Sequence, residues 1–136
     1  MSCNQERLVH YLAHIAEAIA RIGRYTADLN EQAFLNNPLV QDAVIRNLEI
    51  IGEASHNIEI RFPDFAASHP ELPLAFAYQM RNAVAHGYFK VDFGIVWTTI
   101  QHDLPRLHAQ IQRAQHSHSL TLDENRGSHN NGDLPP

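Results

Sequence analysis

Residues 81 to 88 read Arg-Asn-Ala-Val-Ala-His-Gly-Tyr, which sets a guanidinium, an imidazole and a phenol close together at the polar end of an otherwise apolar segment. The charge on Arg81 is permanent and its fork fits phosphate oxygens, while His86 can give or take a proton near neutral pH without a strongly perturbed pKa. That is equipment for handling a phosphodiester. The same eight residues also fit a charged last helical turn followed by a glycine cap at Gly87, so at this point both readings stand.

At 100° per residue, Phe76, Met80, Ala83 and Val84 cluster on one side of a helix from about Pro73 to His86, and Tyr78, Arg81, Asn82, Ala85 and His86 occupy the other. Asn82 stands four residues before His86, can reach its ring and so can fix its tautomer. With small Ala85 between them, Arg81 and His86 wall a shallow slot. One arginine and one histidine are a thin set for breaking a phosphodiester. A two-fold dimer would double it, bringing two Arg81 and two His86 around one cleft so that one imidazole acts as base and the other as acid.

Four main helices must position these groups. Leu8, Leu12, Ile15, Ile19 and Ile22 are spaced four, three, four and three, which predicts one long helix within the first 29 residues. Asn37 followed by Pro38 marks a second start, with main stripe Val40, Val44, Leu48, Ile51 and Ile58 and a second row at Ile45 and Ile50, so this helix is central. Asn30 to Asn36 reads as a short helical turn. Arg61 to Pro73 reads as a loop with one turn after Asp64. The segment around Arg81 is the third helix, and Asp92 caps a fourth whose inner face is Phe93, Val96, Ile100, Leu104, Leu107 and Ile111. Pro105 interrupts that pattern, deletes the bond to the Gln101 carbonyl and predicts a bend or break over residues 101 to 105. No sustained alternation of a strand occurs. The expected fold is all-α: an up-and-down four-helix bundle with short extra helical turns, as a homodimer.

The chain has 136 residues and is 44% hydrophobic, which suits one core. From residue 115 to 136 it turns to Ser, His, Asn, Gly, Asp and Pro, which cannot bury enough surface to offset ordering entropy, so a domain over 1–114 and a disordered tail over 115–136 are expected. Net charge is −5 and Lys90 is the sole lysine, which excludes a broad electrostatic grip on nucleic acid; contact must be local. Cys3, the sole cysteine, excludes an intramolecular disulfide. No signal-peptide pattern or membrane-length apolar run is present, and a cytoplasmic location without membrane association is expected.

Two other constellations have residue types that could do chemistry. Arg46, Glu49 and Glu53 are spaced three and four, which can line a cleft but more often makes an intrahelical ion-pair ladder, the favoured reading. His116, His118 and His129 form only a loose metal-binding pattern in a tail without cysteine, so no metal site is assigned. The remaining histidines at 10, 14, 56, 69, 102 and 108 read as surface residues, and Tyr11, Tyr25 and Tyr78 as packing residues.

Three blocks carry a resemblance. Gln-Asp-Ala-Val-Ile-Arg-Asn-Leu-Glu-Ile-Ile-Gly-Glu-Ala from 41 to 54, Met-Arg-Asn-Ala-Val-Ala-His-Gly-Tyr-Phe from 80 to 89, and Val-Asp-Phe-Gly-Ile-Val-Trp through to Asp-Leu-Pro at 105 occur in the order found in HEPN ribonuclease toxins of the HepT type, and the match covers about residues 7 to 113. The resemblance implies an all-helical homodimer with a composite, metal-independent and cofactor-free cleft that cuts RNA. Arg81 and His86 match the family's catalytic positions, with Asn82 and Tyr88 in support. It further implies transesterification by the ribose 2′-hydroxyl, and a nucleotidyltransferase antitoxin as partner that adds AMP to Tyr88. Leu74 departs from the tryptophan of many relatives, and the His-rich tail has no counterpart. A second reading keeps the slot but not the chemistry: a non-catalytic helical module that binds the nucleotidyltransferase or a nucleotide.

Overall fold

The computed structural model describes the backbone of residues 3–86 and 91–133 and the side chains of residues 5–83 and 91–118. Among these there is no strand; the chain is an all-α bundle, as its periodicity predicts.

Helix α1 spans Cys3–Thr26 and buries the whole predicted row of Leu8, Leu12, Ile15, Ile19 and Ile22. Its end is closed by Thr26, whose hydroxyl donates to the Ile22 carbonyl at 2.7 Å. In the connection, Asn30 accepts from the Ala33 amide and starts the short helix α2, Glu31–Leu35, which inserts Phe34 into the core. Helix α3, Pro38–Arg61, begins where Asn37 accepts from the Val40 amide at 3.1 Å and Pro38 takes the first turn. Val44, Leu48, Ile51 and Ile58 are wholly buried. Burial of this kind is worth about 1.5–3 kcal/mol per side chain, well above any difference in helix propensity, so packing holds α3 at the centre.

The turn expected after Asp64 is a six-residue helix, α4, Pro63–Ser68, with Pro63 in its first turn. Helix α5, Leu74–His86, then packs along α3, opposite α1. Asp92 accepts from the Gly94 and Ile95 amides and opens α6, Phe93–Thr98. Phe93 and Trp97 of α6 close over Phe34, tying α2 to it.

The break expected from Pro105 is a π-helical turn, Thr99–Asp103, in which the Leu104 amide donates five residues back to Thr99. Widening the turn just before proline removes the conflict between its ring and the preceding carbonyls without ending the rod. Helix α7 follows as Leu104–Asp133. The helix thus runs on past residue 115, where composition predicts disorder. Ala114 is buried and His118 rests against Phe65 of α4. No helix among the described residues is long and apolar enough to cross a membrane.

One face was mis-assigned by periodicity. Phe76, grouped with the apolar side of the helix, is 55% exposed, and the described residues of α5 that are buried are Leu74 and Ala77. Helix α5 has its main contact with α3, through the sector of Leu74, Ala77 and Arg81. Phe76 and Ala83 point away from it.

Candidate active site

The sector of α5 that meets α3 runs through Leu74, Ala77 and Arg81, so Arg81 starts from the inner side of its helix and must reach out past α3 to solvent. Gly52 makes this possible. A β-carbon added at Gly52 would lie 2.1 Å from Arg81 Cβ, 2.7 Å from Arg81 Cγ and 3.0 Å from the Ala77 carbonyl oxygen. The missing side chain is thus the channel through which the arginine stem passes. A glycine inside a helix costs about 1 kcal/mol relative to alanine, and its place between Ile51 and Glu53 was the available sequence signal of a close approach.

Beyond Gly52 the guanidinium is held at two points. Arg81 Nη2 donates to Glu53 Oε1 at 3.0 Å, across from α3, and Arg81 Nη1 donates to Asn82 Oδ1 at 3.0 Å. Arg81 Nε is buried and has no partner. Of the five N–H donors of a guanidinium, these contacts take two and burial withholds the Nε one, which leaves one on each Nη for an anion. Glu53 therefore does not complete the expected intrahelical ladder. Arg46 and Glu49 pair loosely at 3.8 Å, while Glu53 is drawn away to Arg81.

Arg81 stands at the edge of a groove of about 300 Å³ over the outer side of α3, with α1 as its far wall. Tyr11 and His14 line it from α1, and Arg46, Glu49, Glu53 and Asn57 from α3. Two guanidinium groups face two carboxylates here. The groove thus has little net charge, and any phosphate must be bound by direction and not by a general positive field. Spacing on α3 had offered a cleft as the less favoured alternative; the participation of α1 was invisible to it, since helix α1 reads locally as a plain amphipathic rod.

The family model described as ribonuclease HepT-like matches residues 15–114. The chain belongs to the HepT-like ribonuclease family. It is 43% identical over 103 residues to "Probable ribonuclease HepT" of Thermococcus cleftensis, covering 76% of this chain and 91% of that protein. A Methanocaldococcus jannaschii protein named as a gamma-glutamylcyclotransferase and RNase is 36% identical over 118 residues, 87% of this chain but 50% of that one. A further protein of the same organism, named as an RNase, is 33% identical over 102 residues, covering 75% of this chain and 91% of its own length. No solved structure matches.

In this HepT-like ribonuclease the remaining expected site residues are distributed unevenly. Asn82 spends its side-chain oxygen on Arg81 and so orients the cation; its expected hold on His86 is a matter of a side chain outside the described residues, as are Gly87 and Tyr88. The backbone of α5 carries His86 five residues beyond Arg81 on the same helix. Tyr78 belongs to the same flank, where its ring stacks on His56 at 3.8 Å between centroids. His56 is therefore a seam residue and not a free surface histidine. His69 likewise stacks on Phe65 at 4.1 Å. His118, grouped by sequence with His116, turns instead toward α4; burial, and secondarily His69 nearby, push its pKa below the ordinary 6.5.

Proposed function

We propose that this ribonuclease is the toxin of a toxin–antitoxin pair, an endonuclease that acts as a homodimer without metal. Arg81 and His86 carry the reaction. The 2′-hydroxyl of a ribose gives its proton to one imidazole and attacks the adjacent phosphorus; the P–O2′ bond forms, the P–O5′ bond breaks, and the leaving oxygen takes a proton from the second imidazole. The products are a 2′,3′-cyclic phosphate and a 5′-hydroxyl. Acid/base action supplies about 10²–10⁴-fold, so positioning and the charge of Arg81 on the transition state supply the rest.

The observation that carries this reading is the seating of Arg81: its stem passes over Gly52, Glu53 and Asn82 fix its head, and its unspent donors lie at the edge of a polar groove. A dimer is supported by the outward side of α5, where Phe76, 55% exposed, lines a hollow with Met80, Leu104 and Leu107, and Met80 also borders a second apolar hollow with Ala83, Val91 and Ile95. An exposed patch of this kind on a small soluble chain is the usual mark of an interface.

The partner in this proposal is a minimal nucleotidyltransferase that adds AMP to Tyr88. A bulky anion two residues beyond His86 repels RNA phosphate and closes the site. Expression without the partner is expected to arrest growth, His86→Ala is expected to relieve the arrest while the protein stays folded, and co-expression is expected to add the mass of AMP at Tyr88. Equal toxicity of His86→Ala and the parent would exclude His86 from catalysis. An unmodified Tyr88 with full neutralisation would mean that the partner acts by sequestration.

A further inference from the structure

We propose that the stacked rings of His56 and Tyr78 form a nucleobase subsite, on which the base next to the scissile bond stacks while Arg81 holds the phosphate. This rests on the ribonuclease reading above. The rings are 11° from parallel with centroids 3.8 Å apart, and both residues are half-buried at the surface of the seam between α3 and α5. Tyr78 precedes Arg81 by three residues and His56 follows Glu53 by three, so the ring pair sits about 4.5 Å of helix rise along the same seam from the Arg81–Glu53 ion pair.

Along this seam the outward row of α3 changes character. It runs from Arg46, Glu49 and Glu53, all lining the groove, through His56 to Ile60, which is 62% exposed. A nucleotide has the same order of chemistry, a charged phosphate at one end and a flat, largely apolar base at the other. The polar edges of the ring pair are also unspent: neither the Tyr78 hydroxyl nor a His56 ring nitrogen hydrogen bonds to another described residue. They remain available to the edge of a base. The groove's guanidinium charges are balanced by carboxylates, and the whole chain carries −5, so the phosphate backbone supplies little of the affinity for RNA. Stacking on aromatic rings is the other general source of affinity for a single strand, and it tolerates any base.

The test uses the full chain and a short single-stranded RNA in which 2-aminopurine, and separately an abasic residue, is moved one position at a time. Binding is measured in the His86→Ala protein so that the RNA stays intact. One position is expected to show strong quenching of 2-aminopurine, and an abasic residue there is expected to weaken binding about 5- to 150-fold. Tyr78→Leu is expected to abolish the quenching and to weaken base-bearing RNA by the same factor while leaving the abasic RNA unaffected; Tyr78→Phe is expected to keep the quenching. A flat profile at every position, or an equal loss on abasic and base-bearing RNA, overturns the subsite. If Tyr78→Leu unfolds, the abasic scan with Tyr78 intact decides alone. The readout needs no cleavage, so an RNA that binds with this profile but is never cut would refute the catalytic reading, and normal cleavage with a flat profile would refute the subsite.

Discussion

Arg81 depends on a neighbour that has no side chain. Replacing Gly52 with alanine puts a methyl group 2.1 Å from Arg81 Cβ and 3.0 Å from a backbone oxygen, so the stem or the helices must move. Overpacking of this kind costs about 1–3 kcal/mol, which exceeds the gain of about 1 kcal/mol in helix propensity at most such sites. Gly52→Ala is therefore expected to lower the urea midpoint and to reduce RNA cleavage by more than the loss of folded protein accounts for. Unchanged cleavage would show that the arginine does not need this channel. Glu53 acts differently. With Glu53 57% exposed, its ion pair adds at most about 1 kcal/mol to stability, and its value lies in aiming the guanidinium. The local sequence displayed Arg81 and the unusual mid-helix glycine, but not their contact, nor the 28 residues that separate Arg81 from Glu53.

At the scale of elements, caps and periodicity were legible because their causes are local. Asn30, Asn37 and Asp92 each accept from an amide two or three residues on, and Pro105 disturbs only the turn before it. What periodicity does not reveal is which of two apolar sectors a neighbour covers. On α5 the sector of Leu74 and Ala77 meets α3, and the sector of Phe76 is left outside. If a second copy covers it, a charge there must oppose assembly while leaving the monomer core untouched. Phe76→Asp is expected to shift the protein from dimer to monomer in light scattering, to keep its helical content and to abolish cleavage. A monomeric variant with full activity would refute the composite site.

Across the whole molecule, α7 carries the helical backbone past residue 115. One face of its first half is buried through Leu104, Leu107, Ile111 and Ala114, and beyond it His118 docks beside Phe65 and near His69. That docking has a pH dependence of definite sign. Burial, reinforced by His69, lowers the His118 pKa from 6.5, so the folded chain binds fewer protons than the unfolded chain just below that value. The stabilising contribution is complete above pH 6.5 and is lost as the pH falls through the lowered folded value. Thermal melts of the parent protein and His118→Leu are expected to diverge on acidification, with the parent losing more of its Tm; parallel curves would remove His118 from the docking.

Charge was legible at this scale too, since the chain carries −5 with one lysine and the groove beside Arg81 is itself balanced. On the proposed reading, an enzyme so built recognises RNA locally and cuts it with few groups. The most direct measurement is chemical typing of RNA ends after incubation with purified protein in excess chelator. New 2′,3′-cyclic phosphate and 5′-hydroxyl ends are expected from the parent protein and none from His86→Ala. Ends bearing a 5′-phosphate, or cleavage that vanishes when divalent ions are removed, would contradict it.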